Sequence, residues 1–151
     1  MKISPVAGQN GCEVSSVPVG IHVYDNPVVT IAAGNAAICA GSTAEIKTTG
    51  IVLDAGVRNE SYFTYQWAVN GIVLLNATQS TYSQVLTTPG KYEFVMRMVQ
   101  NNSLGCASDW SVPVTVTVEE IPQISLMVNN DTYCSGSSAL LTATVVPDGN
   151  Y

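Results

Sequence analysis

Charge is scarce in this chain. Lys, Arg, Asp and Glu make up 11% of it, well under the roughly 25% of an average globular domain. Five basic residues against eleven acidic ones leave a formal net charge of −6 and a pI near 4.4. Such a field repels phosphate backbones and anionic lipid, which argues against nucleic acid as a partner. The plainest use of the acidity is solubility. Histidine occurs once, at His22, too little for a zinc site and poorly placed for a catalytic triad. There is no Gly-x-Ser-x-Gly elbow and no Cys-x-x-Cys pair. No run of Ala, Glu, Lys and Leu falls at helical spacing. No segment approaches the ~20 consecutive apolar residues that span a bilayer. Met1–Pro5 lacks the apolar core of a signal peptide, so the signal of an exported protein is expected upstream of this stretch.

What fills the gap is Thr, Ser, Val, Asn and Gly, with 46% hydrophobic residues overall. That is the make-up of strands and polar turns. The chain reads as all-β. It also repeats itself at an interval of 95 residues: Pro27, Cys39, Gly41, Ser42 and Ala44 return as Pro122, Cys134, Gly136, Ser137 and Ala139. Gly11-Cys12 and Ser16-Val17-Pro18-Val19 return as Gly105-Cys106 and Ser111-Val112-Pro113-Val114, with one residue inserted. Such a period is too long for a solenoid and suits whole small domains in tandem. Residues 1–26 are then the tail of one repeat, 27–121 a complete domain, and 122–151 the head of a third.

Alternation by twos marks the strands of the central unit. It is visible in 43–49 and in 62–69, where Tyr65, Trp67 and Val69 share a face. Asn70-Gly71, the strongest short turn signal, hands the chain to a partner strand at Ile72–Leu75. Residues 80–87 read as a weaker strand. After Pro89-Gly90, Lys91–Gln100 puts Tyr92, Phe94, Met96 and Met98 on one face. Val112, Val114, Val116 and Val118 alternate in the last strand, where Pro113 predicts an edge position or a local irregularity. Asp25-Asn26-Pro27 and Glu119–Pro122 hold the same place in the register. Linkers this short, stiffened by proline, predict an extended array.

These residues resemble the tandem Ig-like and PKD-like repeats of large bacterial secreted and cell-surface proteins. The likeness rests on Pro27 with Cys39-Ala40-Gly41-Ser42, and on Tyr65-Gln66-Trp67 before Asn70-Gly71. It continues through Ala77-Thr78-Gln79-Ser80-Thr81-Tyr82, Gly90-Lys91-Tyr92, Gly105-Cys106 and the closing Val114–Val118. It covers essentially the whole chain. It implies an Ig-like β-sandwich, one complete domain flanked by partial copies, with Trp67 filling the core. Tyr92 becomes a strand-opening tyrosine whose hydroxyl bonds to backbone.

Four cysteines at domain-periodic spacing favour disulfides in an exported protein over a metal site. Within the central unit the available pair is Cys39–Cys106. Closing its loop of about 67 residues would add on the order of 4 kcal/mol. Against it stands topology: in an immunoglobulin order the two cysteines lie at opposite ends, beyond the ~7 Å between Cα atoms that a disulfide allows. Cysteines of adjacent domains are the alternative partners, and Cys12 and Cys134 lack theirs in this chain.

Neither a catalytic set nor a cofactor is expected. Glu45, Glu93 and Asp109 are too scattered for the paired carboxylates of glycoside hydrolysis. His22 reads as a solvated residue on an outward face. Asp54, Asn59 and Glu60 share a loop that offers oxygen ligands for calcium, but the ordinary reading, a solvated connection, is preferred. The function expected is that of a non-catalytic extracellular spacer or adhesion module, whose partners are neighbouring repeats and a cell-surface glycan or protein. The alternative is a carbohydrate-binding or accessory module of a secreted glycan-degrading enzyme, with Tyr62, Phe63 and Tyr82 as the candidate ligand-facing aromatics. The fold by itself does not choose between them.

Overall fold

The computed structural model describes residues 2–4, 8, 10–21, 23, 25–53, 60–101 and 106–146. His22 and residues 54–59 lie outside that set, so the solvated-histidine reading and most of the calcium-loop reading fall outside the described residues. In chain order the strands are β1 (Lys2–Ile3), β2 (Val14–Ser15), β3 (Val28–Ala33), β4 (Ala37–Cys39), β5 (Ser42–Val52) and β6 (Phe63–Val69). They continue as β7 (Ile72–Val73), β8 (Thr81–Leu86), β9 (Gly90–Gln100), β10 (Val114–Glu119), β11 (Gln123–Val128) and β12 (Leu141–Val146). Among the described residues one 3-10 turn, Glu60–Tyr62, occurs, just before β6.

Two sheets form the sandwich. One runs β3-β5-β8 and the other β4-β10-β9-β6-β7. The pairing is antiparallel throughout except for β4, which lies parallel to β10 with Cys39 opposite Glu119. The opening strand is thus divided, β3 going to one sheet and β4 to the other. This is an immunoglobulin-type order, and the chain is an all-β Ig-like sandwich. β1 pairs with β2, and β11 with β12, as separate two-stranded ribbons.

Alternation explains the core. On β9 the burial alternates so that Phe94, Met96 and Met98 are fully enclosed while Glu93 is exposed. Facing residues from the other sheet, Val29, Ala44, Ile46 and Leu86, close the space around Trp67. Trp67 has no exposed surface, and its indole Nε1 donates to the Gln79 carbonyl at 2.8 Å. A buried indole N–H needs such a partner. Pro113 lies just outside β10, which starts at Val114 and is flanked on both sides by β4 and β9. The proline therefore delays the strand; it does not mark an edge.

Turn chemistry fixes the ends. Asn70 and Gly71 both have positive φ, 49° and 79°, as a two-residue hairpin needs to match strand twist. Gly41 has φ +86° where β4 turns into β5, and Gly136 has φ +89°. At the start of β9, the Tyr92 hydroxyl donates to the Thr88 carbonyl at 3.0 Å and ties the strand to the preceding bend. Tyr92→Phe is expected to lower unfolding free energy by about 1 kcal/mol, the net worth of one such bond. Urea titration reads this directly; an unshifted midpoint would mean that water fully replaces the contact.

The ribbon β11-β12 reproduces part of β3-β5. Leu126↔Ala143, Met127↔Thr142 and Val128↔Leu141 stand where Ile31↔Thr48, Ala32↔Lys47 and Ala33↔Ile46 stand, each shifted by 95 positions. The bond from the Gly34 amide to the Glu45 carbonyl has its counterpart from Asn129 to Leu140. The two ribbons differ between Thr30 and Ile31, where β3-β5 carries a bulge.

Candidate functional site

The aromatic candidates are not brought to one surface. Phe63 opens β6 in phase with Trp67 and is 8% exposed, so it belongs to the core. Tyr82 is half-buried on β8, stacked on Trp67 with ring centroids 6.0 Å apart and tilted against Phe94 at 6.3 Å. Its hydroxyl donates to Gln84 Oε1 at 3.1 Å. Tyr62 alone stands out, 60% exposed on the 3-10 turn. The expectation of a platform of three ligand-facing rings is corrected: the two-residue period buries Phe63 and Tyr82 on the inner faces.

Sequence reasoning missed another ring. Trp110, 36% exposed, lies with its ring 4.5 Å from the Arg97 guanidinium carbon. Arg97 Nε in turn donates to Gln66 Oε1 at 2.7 Å. Arg97 points away from the core on β9, so the indole packs against the outside of the five-stranded sheet. An exposed cation–π contact of this kind is worth roughly 0.5–1 kcal/mol. Nothing local in Asp109-Trp110-Ser111 announces it, because the arginine lies on another element.

Among the described residues, two open depressions mark the surface. One, of ≈ 300 Å³, runs beside Asn76, Thr78, Gln79 and Tyr82. The other, of ≈ 290 Å³, is lined by Thr48, Glu60, Tyr65 and Ser80 among others. Glu60 is the carboxylate in the second lining, and its neighbour is the Tyr65 phenol. Partial burial raises the Tyr65 pKa above its ordinary value, helped by the Glu60 charge and by the hydrogen bond to it. A tyrosine held protonated against one glutamate is a structural pair; glycosidic cleavage needs two converging carboxylates. Among the described residues, no three His, Cys, Asp or Glu side chains gather as a metal site would require.

The cysteines lie at the two poles. Cys39 ends β4 beside Glu119, and Val118 pairs with Gly90 at the start of β9. The Cys106 carbonyl accepts from the Gln100 amide at the other end of the same strand. Ten residues of β9 separate those levels, about 33 Å at strand rise. A disulfide needs Cα atoms within ~7 Å. The expected Cys39–Cys106 pair is therefore not formed: both are free and exposed, as are Cys12 and Cys134. The physical reason is that β9 runs the length of the sandwich between them.

The chain direction follows the same axis. Val28 pairs with Val52 at the upstream pole, and Ser42 with Leu86 at the pole of Cys39. β10 leaves at that second, downstream pole through Glu119.

No protein-family model matches this chain, and no curated protein does. Solved structures with similar folds include a PKD domain of an M14-like peptidase from a Thermoplasmatales archaeon, 18% identical, covering 64% of this chain and 98% of that one, with a TM-score of 0.43. Another is a CARDB domain from Pyrococcus furiosus, solved with di-metal ions, 16% identical, covering 70% of this chain and all of that one, with a TM-score of 0.42. At this overlap the likeness adds nothing to the strand pairing, on which the assignment of the sandwich rests.

Proposed function

We propose that this chain is a stretch of a tandem array of Ig-like repeats, 27–121 being one whole unit, which serves as a non-catalytic extracellular spacer and adhesion module. The observation that carries the reading is polar: the unit receives the chain at one pole and releases it at the other. Units joined in that way add length instead of bulk. The 95-residue recurrence supports it, as does the shared register of β3-β5 and β11-β12. Further support comes from Ile124, Leu126 and Leu141, exposed at positions where Val29, Ile31 and Ile46 pack into the core. Half a sandwich presents such a face. The two depressions lined by described residues bring no acid and base together, which favours a module without catalysis. Tyr62 alone is a poor basis for a glycan platform, so the spacer reading is preferred to the carbohydrate-binding one.

Small-angle scattering tests the array. β9, with its 11 residues, sets a unit length of about 36 Å at strand rise. Duplicating residues 27–121 in place should lengthen the particle by about 35–40 Å without widening its cross-section. A rise in cross-section with little gain in length would mean that the units fold back on one another, and the spacer reading would fail.

A further inference from the structure

We propose that successive repeats are bolted together by a disulfide from the downstream cysteine of one unit to the upstream cysteine of the next. In the numbering of this chain the bond joins Cys39 of a unit to the residue equivalent to Cys106 in the unit that follows. The proposal rests on the array reading above.

Three placements lead to it. The central unit carries one exposed free cysteine per pole, Cys39 downstream and Cys106 upstream, too far apart to bond to each other. The recurrence supplies the same two positions to the neighbours: Cys134 stands for Cys39 in the following unit, and Cys12 for Cys106 in the preceding one. The junction then sets downstream pole against upstream pole. Residues 120–122 are all that separate the end of β10 from the start of β11, so the two strand ends stay within about 14 Å. Cys39 sits beside the first of those ends, opposite Glu119, with the Ala40 amide bonded to the Glu119 carbonyl at 2.8 Å. The upstream cysteine of the next unit is placed, as Cys106 is, in the connection tied to the end of β9 by the Gln100 amide, a strand of the sheet that faces the opening strand at about 10 Å across the sandwich. A modest bend at the proline closes what remains.

The pairing also accounts for four free thiols in this chain. Cys39 pairs forward and Cys106 backward, each by one unit, and no two of the four stand in that relation. Formation consumes a disulfide oxidant: two thiols lose two protons and two electrons, one S–S bond forms, and one oxidised glutathione becomes two reduced glutathiones.

The test uses the full chain with residues 27–121 duplicated in place, equilibrated with oxidised and reduced glutathione, trapped by alkylation and mapped by peptide mass spectrometry. The expected result is two fewer alkylated cysteines than in the reduced protein and a Cys39–Cys106 cross-linked peptide within monomeric chains. Because the units are identical, variants assign the ends. Cys39→Ser in the first unit should abolish the link, while Cys39→Ser in the second should leave it intact. Full alkylation of every cysteine overturns the proposal, as does a link found only between chains or one that survives the first variant. Scattering separates the two failures: a lengthened particle without the bond sinks the disulfide alone, whereas a particle that does not lengthen sinks the array.

Discussion

Trp67→Ala is expected to cost about 3–5 kcal/mol of unfolding free energy, the range for removing a large aromatic from a packed core. The side chain has no exposed surface and stands between both sheets, against Tyr82 and among Phe94, Met96 and Ile46. Removing it leaves a cavity lined on every side by groups held on strands, which collapse poorly into the gap. It also deletes the donor to the Gln79 carbonyl, although that residue is exposed and water can take the donor's place. Domains of this size have 5–15 kcal/mol in hand, so the variant is expected to be marginal at room temperature. Trp67→Phe keeps most of the volume while deleting the indole bond, for a smaller cost of about 1–2 kcal/mol. Urea denaturation followed by Trp110 fluorescence gives both numbers. A loss below 1 kcal/mol for the alanine variant would remove Trp67 from the centre of the core.

Local signals in this sequence locate its elements; signals made between distant residues do not. Alternation along one strand located β5, β6, β8 and β9 within a few residues, and Asn70-Gly71 fixed a hairpin because both residues tolerate positive φ. The same alternation already put Phe63 in phase with Trp67; reading it as a ligand-facing ring gave more weight to residue type than to period. β4 carries no such signal, since three residues, Ala37–Cys39, have no period, and their parallel pairing with β10 is decided some 80 positions away. The separation of Cys39 and Cys106 was foreseeable as a consequence of strand order. Its size became plain only once β9 was known to run from one pole to the other. The Arg97–Trp110 contact was invisible for the same reason as β4: both partners look ordinary until the fold brings them together.

Half of β9 lacks a regular strand partner on the β10 side. β10 follows β9 only from Val118↔Gly90 to Val114↔Phe94. Beyond Phe94 the neighbouring chain leaves the ladder: Val99 bridges Ala107, then Asp109 and Trp110 loop outward, and Ser108 and Ser111 return to the strand. Each serine makes the same pair of bonds. Its amide donates to a β9 carbonyl at 2.8 Å, Ser108 to Met98 and Ser111 to Met96. Its hydroxyl accepts from the amide of that same methionine, at 3.0 Å for Ser108 and 3.1 Å for Ser111. Two side chains thus stand in for the carbonyls that a regular strand would supply, and both are buried. Serine suits the task because its hydroxyl is short and accepts while donating its own hydrogen bond to the Asp109 or Val112 carbonyl. Ser108→Ala or Ser111→Ala strands a buried amide, at an expected cost of about 1–3 kcal/mol each. The double variant should lose on the order of 2–5 kcal/mol, with some non-additivity because the sites share one strand. Native-state hydrogen exchange supplies the specific readout: protection of the Met98 amide should fall in the first variant and of the Met96 amide in the second. If exchange at both amides stays at wild-type rates while stability drops, the loss comes from packing, and the serines are not the acceptors that complete β9.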